Sequence, residues 1–111
     1  MLARANRVTD GTDYRLAVRR GRRFVAAHTV TYVRPNPSTD SVRFGFIVAK
    51  NVGSATRRNL VRRRLKAASF EMVGMARQGT DVVIRALPGA YEASWDALHD
   101  EVVDAVNRGA V

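Results

Sequence analysis

The sequence contains no cysteine and only two histidines in 111 residues. Without cysteine, a disulfide scaffold, a zinc ribbon and thiol catalysis are all excluded. Neither His28 nor His99 has an obvious nucleophile close to it along the chain. A glycine-rich phosphate loop of the nucleotide-binding kinds is also missing. These absences leave no active site that we would expect the protein's own side chains to form.

No apolar run approaches the length of a transmembrane helix, and the basic N-terminus lacks the apolar segment of a secretory signal. We therefore expect no membrane partner, and a cytoplasmic location agrees with the absence of cysteine. Hydrophobic residues make up 46% of the chain and charged residues 26%, which are globular proportions. These values predict a single domain over residues 1–111.

Acidic residues are absent from the segment Lys50 to Lys66, which carries seven basic side chains. The imbalance extends over residues 1–66, which hold 16 basic and 3 acidic side chains and so a net charge of +13. Residues 67–111 hold 3 basic and 7 acidic side chains, for a net charge of −4. A strongly basic front half predicts a polyanionic partner. Nucleic acid is favoured over a membrane surface, because small aliphatic residues rather than Trp or Phe accompany the charges.

Drawn as a helix at about 100° per residue, the basic segment separates into a polar arc and an apolar arc. The polar arc contains Arg58, Asn59, Arg62, Arg63 and Lys66, and the apolar arc contains Val61, Leu65, Ala68, Met72 and Met75. Guanidinium groups bind phosphate oxygens in a two-pronged geometry. A merely solvated face would normally mix charges of both signs, whereas like charges at i, i+4 repel one another. The segment therefore predicts a helix that grips a phosphate backbone.

The rest of the chain alternates helical and strand patterns around this basic helix. We predict a flexible basic arm (1–11), a helix capped by Thr12 (12–20), strands (22–34 and 42–49), the basic helix (54–77), a short strand (81–86) and a final helix (90–108). This order indicates an α+β domain with one sheet. Two roles remain open for the apolar residues of the first helix, which include Tyr14 and Val18. They either form a binding surface or pack on the sheet.

The nature of the nucleic acid is less firmly indicated. Tyr14, Phe24 and Tyr32 are aromatic residues that can stack on unpaired bases, which favours RNA over duplex DNA. Core packing explains Phe24 at least as well. No helix-turn-helix or ribbon pattern for duplex DNA is evident. From these residues alone, a structural RNA-binding protein of ribosomal type remains an alternative to an RNA-processing protein.

Three segments of the sequence together resemble one family. K-N-V-G-S-A-T-R-R-N-L-V-R-R-R-L-K-A-A, which begins at Lys50, is similar to the signature of the protein subunit of bacterial ribonuclease P, typically K-K-V-G-N-A-V-x-R-N-R-x-K-R-x-L-R. The opening A-N-R-V-T-D-G-T-D-Y-R-L-A-V-R-R-G-R-R resembles the family's N-R-L-x-x-x-x-D-F-x-x-V-F-x-x-G. The later G-T-D-V-V-I-R-A-L-P-G-A resembles its G-x-D-x-V-x-I-A-R-P. The three segments come in the family's order and cover most of the chain.

The resemblance implies a fold and a function. The implied fold is a two-layer α+β sandwich of order αβββαβα, ribosomal-protein-S5-domain-2-like, with one mixed sheet and a left-handed βαβ crossover that departs from the usual handedness. The implied function is to bind the catalytic RNA subunit and the 5′ leader of precursor tRNA, with no protein partner. In such an endoribonuclease the RNA cleaves the leader with bound Mg²⁺, while the protein raises substrate affinity. No catalytic residue or metal ligand is expected on the protein itself.

The resemblance also assigns roles to individual residues. Contacts to the catalytic RNA are implied for Lys50, Arg57, Arg58, Asn59, Arg62, Arg63 and Lys66. The substrate leader is expected in a cleft between the first helix and the sheet, lined by Tyr14, Val18 and Tyr32. The third residue of the arginine-asparagine-arginine signature is Leu60 here. Any contact that the family's arginine makes at this position would therefore be lost, or be supplied by Arg57 or Arg64. Asn51 and Ser54 also replace a common lysine and a common asparagine.

Overall fold

Three helices and four strands follow one another in the order αβββαβα in the computed structural model, which describes residues 2–111. Their bounds are α1 (Gly11–Arg20), β1 (Arg22–Val25), β2 (Thr29–Pro35), β3 (Val42–Ile47), α2 (Ala55–Met72), β4 (Thr80–Ala86) and α3 (Trp95–Gly109). Two short 3-10 helices lie at Arg4–Asn6 and Lys50–Val52. The expected α+β class and element order are confirmed. Within the described residues, no helix is long and apolar enough to cross a membrane.

The four strands form one mixed sheet in the order β1-β2-β4-β3. β1 and β2 form an antiparallel hairpin, which divides the single strand pattern predicted over residues 22–34. β4 pairs antiparallel with β2 and parallel with β3. Because β3 and β4 are parallel, the chain must cross over between them, and α2 is that connection. The sheet therefore fixes the basic helix at both ends.

The larger core lies between the sheet and the pair α2 and α3. Strand alternation directs every second side chain of each strand toward these two helices. Its fully buried members include Phe44 of β3, Leu65 of α2, Ile84 of β4 and Leu98 of α3. The predicted alternation of β3 is confirmed, since Val42, Phe44 and Val48 all belong to this core. These two layers form the sandwich.

The other face of the sheet is covered by α1 over a second, smaller core of Ala17, Val30, Tyr32 and Val83. Asp10 caps the N-terminus of α1, because its side chain accepts a hydrogen bond from the Thr12 amide at 2.8 Å. The expected cap, Thr12, is thus wrong by two residues. Asp10 is the stronger choice because its carboxylate also meets the positive end of the helix dipole.

The predicted flexible arm over residues 1–11 is packed from Leu2 onward, and this expectation is corrected. Leu2 is 2% exposed and Val8 is 4% exposed, so both side chains are buried. Arg7 forms a parallel bridge with Phe44, and the Val8 amide donates to the Phe44 carbonyl at 2.9 Å. β3 is an edge strand with free backbone groups, and the N-terminal segment satisfies some of them.

Two helix bounds also differ from the predicted ones. α2 ends at Met72 rather than Arg77, because the chain turns back there toward β4. As a result Met75 is 59% exposed and leaves the apolar arc to which its spacing assigned it. α3 begins at Trp95 rather than at residue 90, where Ser94 caps it by accepting from the Ala97 amide.

Candidate nucleic-acid interface

α2 is anchored so that its two arcs face opposite environments. Ser54 caps the helix by accepting from the Arg57 amide at 3.3 Å. Gly53, with φ of 151°, makes the turn into the helix in a region that side chains disfavour. Val61 and Leu65 are completely buried on the side of the sheet and α3. The opposite side of α2 is therefore held outward by the core.

The outward side, which we call the basic face, is formed by Arg58, Asn59, Arg62, Arg63 and Lys66. Asn59, Arg63 and Lys66 are exposed, and Arg58 and Arg62 are half-buried. The Arg62 guanidinium donates from Nη1 to Asn59 Oδ1 at 2.8 Å, so Asn59 orients it. Together with Thr56, four of these residues line an open groove of about 500 Å³. The structure thus brings together the polar arc expected from the sequence.

No carboxylate neutralises this surface. Among residues 2–111, none of the six basic side chains of α2 lies within 4.0 Å of a carboxylate oxygen. The acidic side chains of the C-terminal half pair elsewhere, as Glu71 does with His99 and Asp104 with Arg108. Like charges this close repel one another in the free protein. Their guanidinium groups remain available for phosphate oxygens.

Arg57 and Arg64 lie on the flank of α2 that faces the segment between β4 and α3. The Arg57 guanidinium carbon lies 4.7 Å from the centre of the Tyr91 ring, which is a cation–π contact. Arg64 donates from Nη1 to the Ala93 carbonyl at 3.3 Å. Both contacts attach this segment to α2, through a guanidinium face of Arg57 and one N–H group of Arg64. That the RNA contact of the arginine replaced by Leu60 is lost, or is supplied by Arg57 or Arg64, stays a prediction, since a guanidinium in a cation–π contact keeps its N–H edge free.

The other predicted RNA contact, Lys50, is exposed in the 3-10 helix between β3 and α2. Arg58 differs from its neighbours because its Nε atom is buried and has no hydrogen-bond partner among the described residues. Its remaining guanidinium nitrogens are the part available to a ligand.

Two smaller grooves lead from the basic face to α1. The first, of about 190 Å³, lies between the N-terminal segment, β3 and α2, and Tyr14, Phe46, Arg62 and Lys66 are among the residues that line it. The second, of about 230 Å³, is lined by Tyr14, Arg15, Val18, Arg19 and Ile47. Tyr14 belongs to both grooves. Tyr14 therefore separates a groove on the α2 side of the edge strand β3 from a groove on the α1 side.

Tyr14 is held rigidly between these two grooves. Its hydroxyl oxygen accepts a hydrogen bond from the Phe46 amide at 3.1 Å. Its ring lies so close to Gly45 that a Cβ at that position would come within 2.6 Å of a ring carbon. Only glycine permits this approach, and the half-buried ring keeps part of its surface open.

Tyr32 does not line the cleft surface, and the expectation for this residue is corrected. It is 4% exposed and packs with Ala17 and Val83 beneath α1. A base has no free face of this ring on which to stack.

Arg85 of β4 is a residue that the sequence analysis did not consider, and its guanidinium lies 5.9 Å from the centre of the Tyr32 ring. Arg85 is half-buried and is paired in the sheet with Ile47, so it borders the same side of the sheet. Its signal in the sequence was a charge inside an apolar strand.

A second set of arginines, on the α1 side of the sheet, is paired with carboxylates. Asp81 is completely buried, and Arg43 donates to both of its oxygens at 2.9 Å. Asn36 donates to Asp81 at 2.9 Å, and Arg34 approaches it at 3.3 Å. Asp13 of α1 contacts both arginines, at 2.9 Å and 3.4 Å. This network attaches the first turn of α1 to the sheet.

The network shifts the pKa values of Asp81 and Arg43 in opposite directions. Burial acts to raise the pKa of Asp81, but the hydrogen bonds from Arg43, Asn36 and Arg34 and the charge of Arg43 outweigh it, so the pKa lies below its ordinary value. The hydrogen bond to Asp81 raises the pKa of Arg43 above its ordinary value. Both groups therefore remain charged throughout the physiological range.

The histidines have structural roles. His28 Nδ1 lies 2.7 Å from Glu101 Oε2, and His99 Nε2 lies 2.9 Å from Glu71 Oε1. The hydrogen bond with Glu71 raises the pKa of His99. In the part of the chain that the structure describes, no three His, Asp or Glu side chains come together as a metal-binding group.

Comparison with known proteins identifies the family. The family model described as Ribonuclease P matches residues 2–109. The Ribonuclease P protein component of Clavibacter michiganensis is 51% identical over 108 residues, which cover 97% of this chain and 96% of that protein. That of Arthrobacter is 46% identical over 102 residues, covering 88% of this chain and 72% of that protein.

Solved structures share the fold. The RNase P protein from Thermotoga maritima superposes with a TM-score of 0.80 at 23% identity, covering 92% of this chain and 96% of that one. The Staphylococcus aureus RNase P protein gives a TM-score of 0.79 at 20% identity, covering 93% of both chains. The match over nearly the whole length therefore shows that this chain belongs to the ribonuclease P protein family.

Proposed function

We propose that this chain binds the catalytic RNA of ribonuclease P through the basic face of α2 and guides the 5′ leader of precursor tRNA past Tyr14. In this proposal the RNA carries out the endonucleolytic cleavage that gives the mature 5′ end. The protein contributes substrate affinity and charge neutralisation. Membership in the family supports the assembly, since its members are protein components of ribonuclease P.

The observation that carries the proposal is the uncompensated charge of the basic face. Arg62, Arg63 and Lys66 are displayed on one side of a helix whose other side is buried, and no carboxylate of the described residues pairs with them. Phosphate groups would remove their mutual repulsion and release counterions from the RNA. A surface built only for solubility would gain stability by mixing in acidic residues.

The leader would follow the two grooves that meet at Tyr14. The groove next to α2 offers Arg62 and Lys66 to the leader's phosphates, and the groove next to α1 has apolar walls formed by Val18 and Ile47. Single-stranded RNA is bound in this way, with cations along the backbone and rings or apolar side chains against the bases. Tyr14 is the residue most directly placed to contact a base.

The side chains of the basic face suit phosphates rather than a divalent cation, because they are cations themselves. Mg²⁺ would therefore be held mainly by the RNA, and it would supply Lewis-acid chemistry for cleavage of the phosphodiester. The contribution of this chain would be to position the RNA and the leader, not to transfer protons.

Reconstitution tests the proposal. The purified chain is combined with the RNA subunit of ribonuclease P from the same organism, and 5′ processing of a labelled precursor tRNA is followed at low magnesium. We expect no cleavage by the protein alone, slow cleavage by the RNA alone, and restored cleavage by the mixture. The Arg62→Gln, Arg63→Gln double variant should restore much less. Co-sedimentation with ribosomes and no effect on processing would instead support a structural ribosomal role.

A further inference from the structure

A second cationic surface lies at the edge of the sheet that is farthest from β3. Five exposed arginines belong to the ends of α1 and α3 and to β1 at this edge. We call them the β1-edge cluster: Arg19, Arg20, Arg22, Arg23 and Arg108. Four of them fall within five consecutive residues at the end of α1 and the start of β1. The fifth comes from the last turn of α3. None of these residues belongs to the basic face of α2 or to the two grooves around Tyr14, except that Arg19 borders the groove at Val18.

Two members of the cluster, Arg22 and Arg108, contact Phe24. The guanidinium carbons of Arg22 and Arg108 lie 5.2 Å and 5.4 Å from the centre of the Phe24 ring. Phe24 itself packs closely on Gly109, where an added Cβ would come within 2.6 Å of the ring. A cation–π contact uses the flat face of a guanidinium and leaves its N–H edge free. Arg22 and Arg108 are thus oriented while their donors remain available.

Carboxylates leave most of this charge uncompensated. Of these five arginines, only Arg108 lies within 4.0 Å of a carboxylate of residues 2–111, namely Asp104 at 3.6 Å, and both of these side chains are largely exposed. The helix dipole explains Arg19 and Arg20, which lie at the negative end of α1. It does not explain Arg22 and Arg23, which lie on β1. A single charge is enough to keep an edge strand from pairing with another chain. Five arginines from three elements exceed both needs.

We infer that the β1-edge cluster is a second phosphate-binding surface, which contacts a segment of the RNA subunit different from the one bound by α2. This inference rests on the proposed function. Arg62 and Lys66 of the basic face border β3 in the groove that they share with Phe46, and β1 lies three strand spacings from β3, which amount to about 14 Å. The Debye length at physiological salt is about 8 Å, so a phosphate at one edge does not neutralise the other. Two separate phosphate segments are needed to compensate both surfaces.

The experiment compares three double variants that each remove two positive charges. Arg22→Gln with Arg23→Gln alters the β1-edge cluster, and Arg62→Gln with Arg63→Gln alters the basic face. The control is Arg4→Gln with Arg77→Gln, two exposed arginines outside both surfaces. Affinity for the isolated RNA subunit is measured over a range of salt concentrations, and hydroxyl-radical footprints are recorded. Thermal unfolding checks that all variants fold.

We expect the β1 variant to bind the RNA subunit several-fold more weakly than the control. The slope of log affinity against log salt should fall by about 1.4–1.8, since each phosphate contact contributes about 0.7–0.9. Its footprint should lose protection at nucleotides that the α2 variant still protects. Replacing both residues by Lys should retain most of the salt slope, because the charge is kept.

Other outcomes overturn the inference. Binding equal to the control, or loss of protection at the same nucleotides as in the α2 variant, removes the second surface. If the β1 variant binds RNA normally but self-associates, the role of these arginines is to prevent β1 from pairing with another copy of the chain. Weakened binding of precursor tRNA alone would move the contact to the substrate and contradict the assignment to the RNA subunit. In each case a weakened α2 variant leaves the proposed function intact, whereas an unaffected α2 variant means that the proposed function has failed.

Discussion

The arginines of β2 and β3 and the arginines of α2 have the same side chain but opposite surroundings. Arg34 and Arg43 lie against Asp81 and Asp13 and are mostly buried. Arg62 and Arg63 lie on the basic face of α2 with no carboxylate near them among the described residues. The first pair stabilises the fold, since its charges are satisfied internally. In the proposed function, phosphate groups of the RNA supply the counter-charges of the second pair.

The position of the nearest carboxylate therefore indicates the role of an arginine better than the number of arginines does. A fully paired arginine has no remaining attraction for phosphate, and removing its carboxylate leaves a costly unpaired charge. An unpaired arginine costs little to replace in the free protein but matters in the complex. Each prediction below asks whether this division between structural and binding arginines is correct.

The largest effect should come from Asp81→Asn, which removes the buried carboxylate that Arg43, Arg34 and Asn36 contact. We expect the free energy of unfolding to fall by about 3–5 kcal/mol, because breaking one partner of a buried ion pair leaves the other charge uncompensated. Urea denaturation measures it. Asp13→Asn is the matched control and should cost less, since Asp13 is partly exposed.

The same variant should change the response to acid. Because the pKa of Asp81 is lowered in the folded state, its contribution is complete above the ordinary carboxyl pKa and is lost as the pH falls through the folded-state value. Asp81→Asn should therefore flatten the acid limb of the stability curve. An acid limb identical to that of the unaltered protein would mean that other carboxylates cause acid unfolding.

An intermediate effect is expected from replacing Arg62 and Arg63 together by Gln. RNA affinity should fall by at least about tenfold, because hydrogen bonds to charged groups contribute about 1.5–3 kcal/mol each. The salt slope should decrease by about 1.4–1.8. Urea denaturation should give an unfolding free energy equal to or slightly above that of the unaltered protein. A clear loss of stability would place these arginines in the structural group.

Arg57→Gln should distinguish the flank of α2 from its basic face. The loss of the cation–π contact with Tyr91 should lower the free energy of unfolding by about 0.5–1 kcal/mol, as for other exposed pairs. RNA affinity should change less than in Arg63→Gln, which is the matched control on the basic face. If Arg57→Gln weakens RNA binding as much as Arg63→Gln does, Arg57 belongs with the binding arginines after all.

The smallest effect should come from His99→Gln, which removes the contact to Glu71 between α3 and α2. The raised pKa of His99 means that the pair stabilises the fold at pH values below the ordinary histidine pKa, and that this contribution disappears as the pH rises through the folded-state value. The variant should be slightly less stable at mildly acidic pH and equal at alkaline pH. A constant difference across the range would point to packing against Trp95 instead.

Much of this arrangement was accessible from the sequence because it depends on periodicity. The spacing of Val61, Leu65 and Ala68 against Arg62 and Lys66 predicts one buried and one charged side of α2, and the structure has both. Strand alternation predicted the buried face of β3 in the same way. The predictions were wrong where contacts with a distant part of the chain determine whether a side chain is buried. Leu2 is buried because β3 is an edge strand, and Tyr32 is buried because α1 lies over it.

Propensity, spacing and charge act over a few residues, so the class of fold, the order of its elements and the polarity of the basic helix were predictable without coordinates. Only the tertiary structure decided which arginines are free. Asp81 is 38 positions from Arg43, and Tyr91 is 34 positions from Arg57, so no local pattern reveals either contact. The same holds for Arg108, which reaches Phe24 only because α3 ends against β1. Charge neutralisation is a matter of distance in space, and the sheet sets those distances.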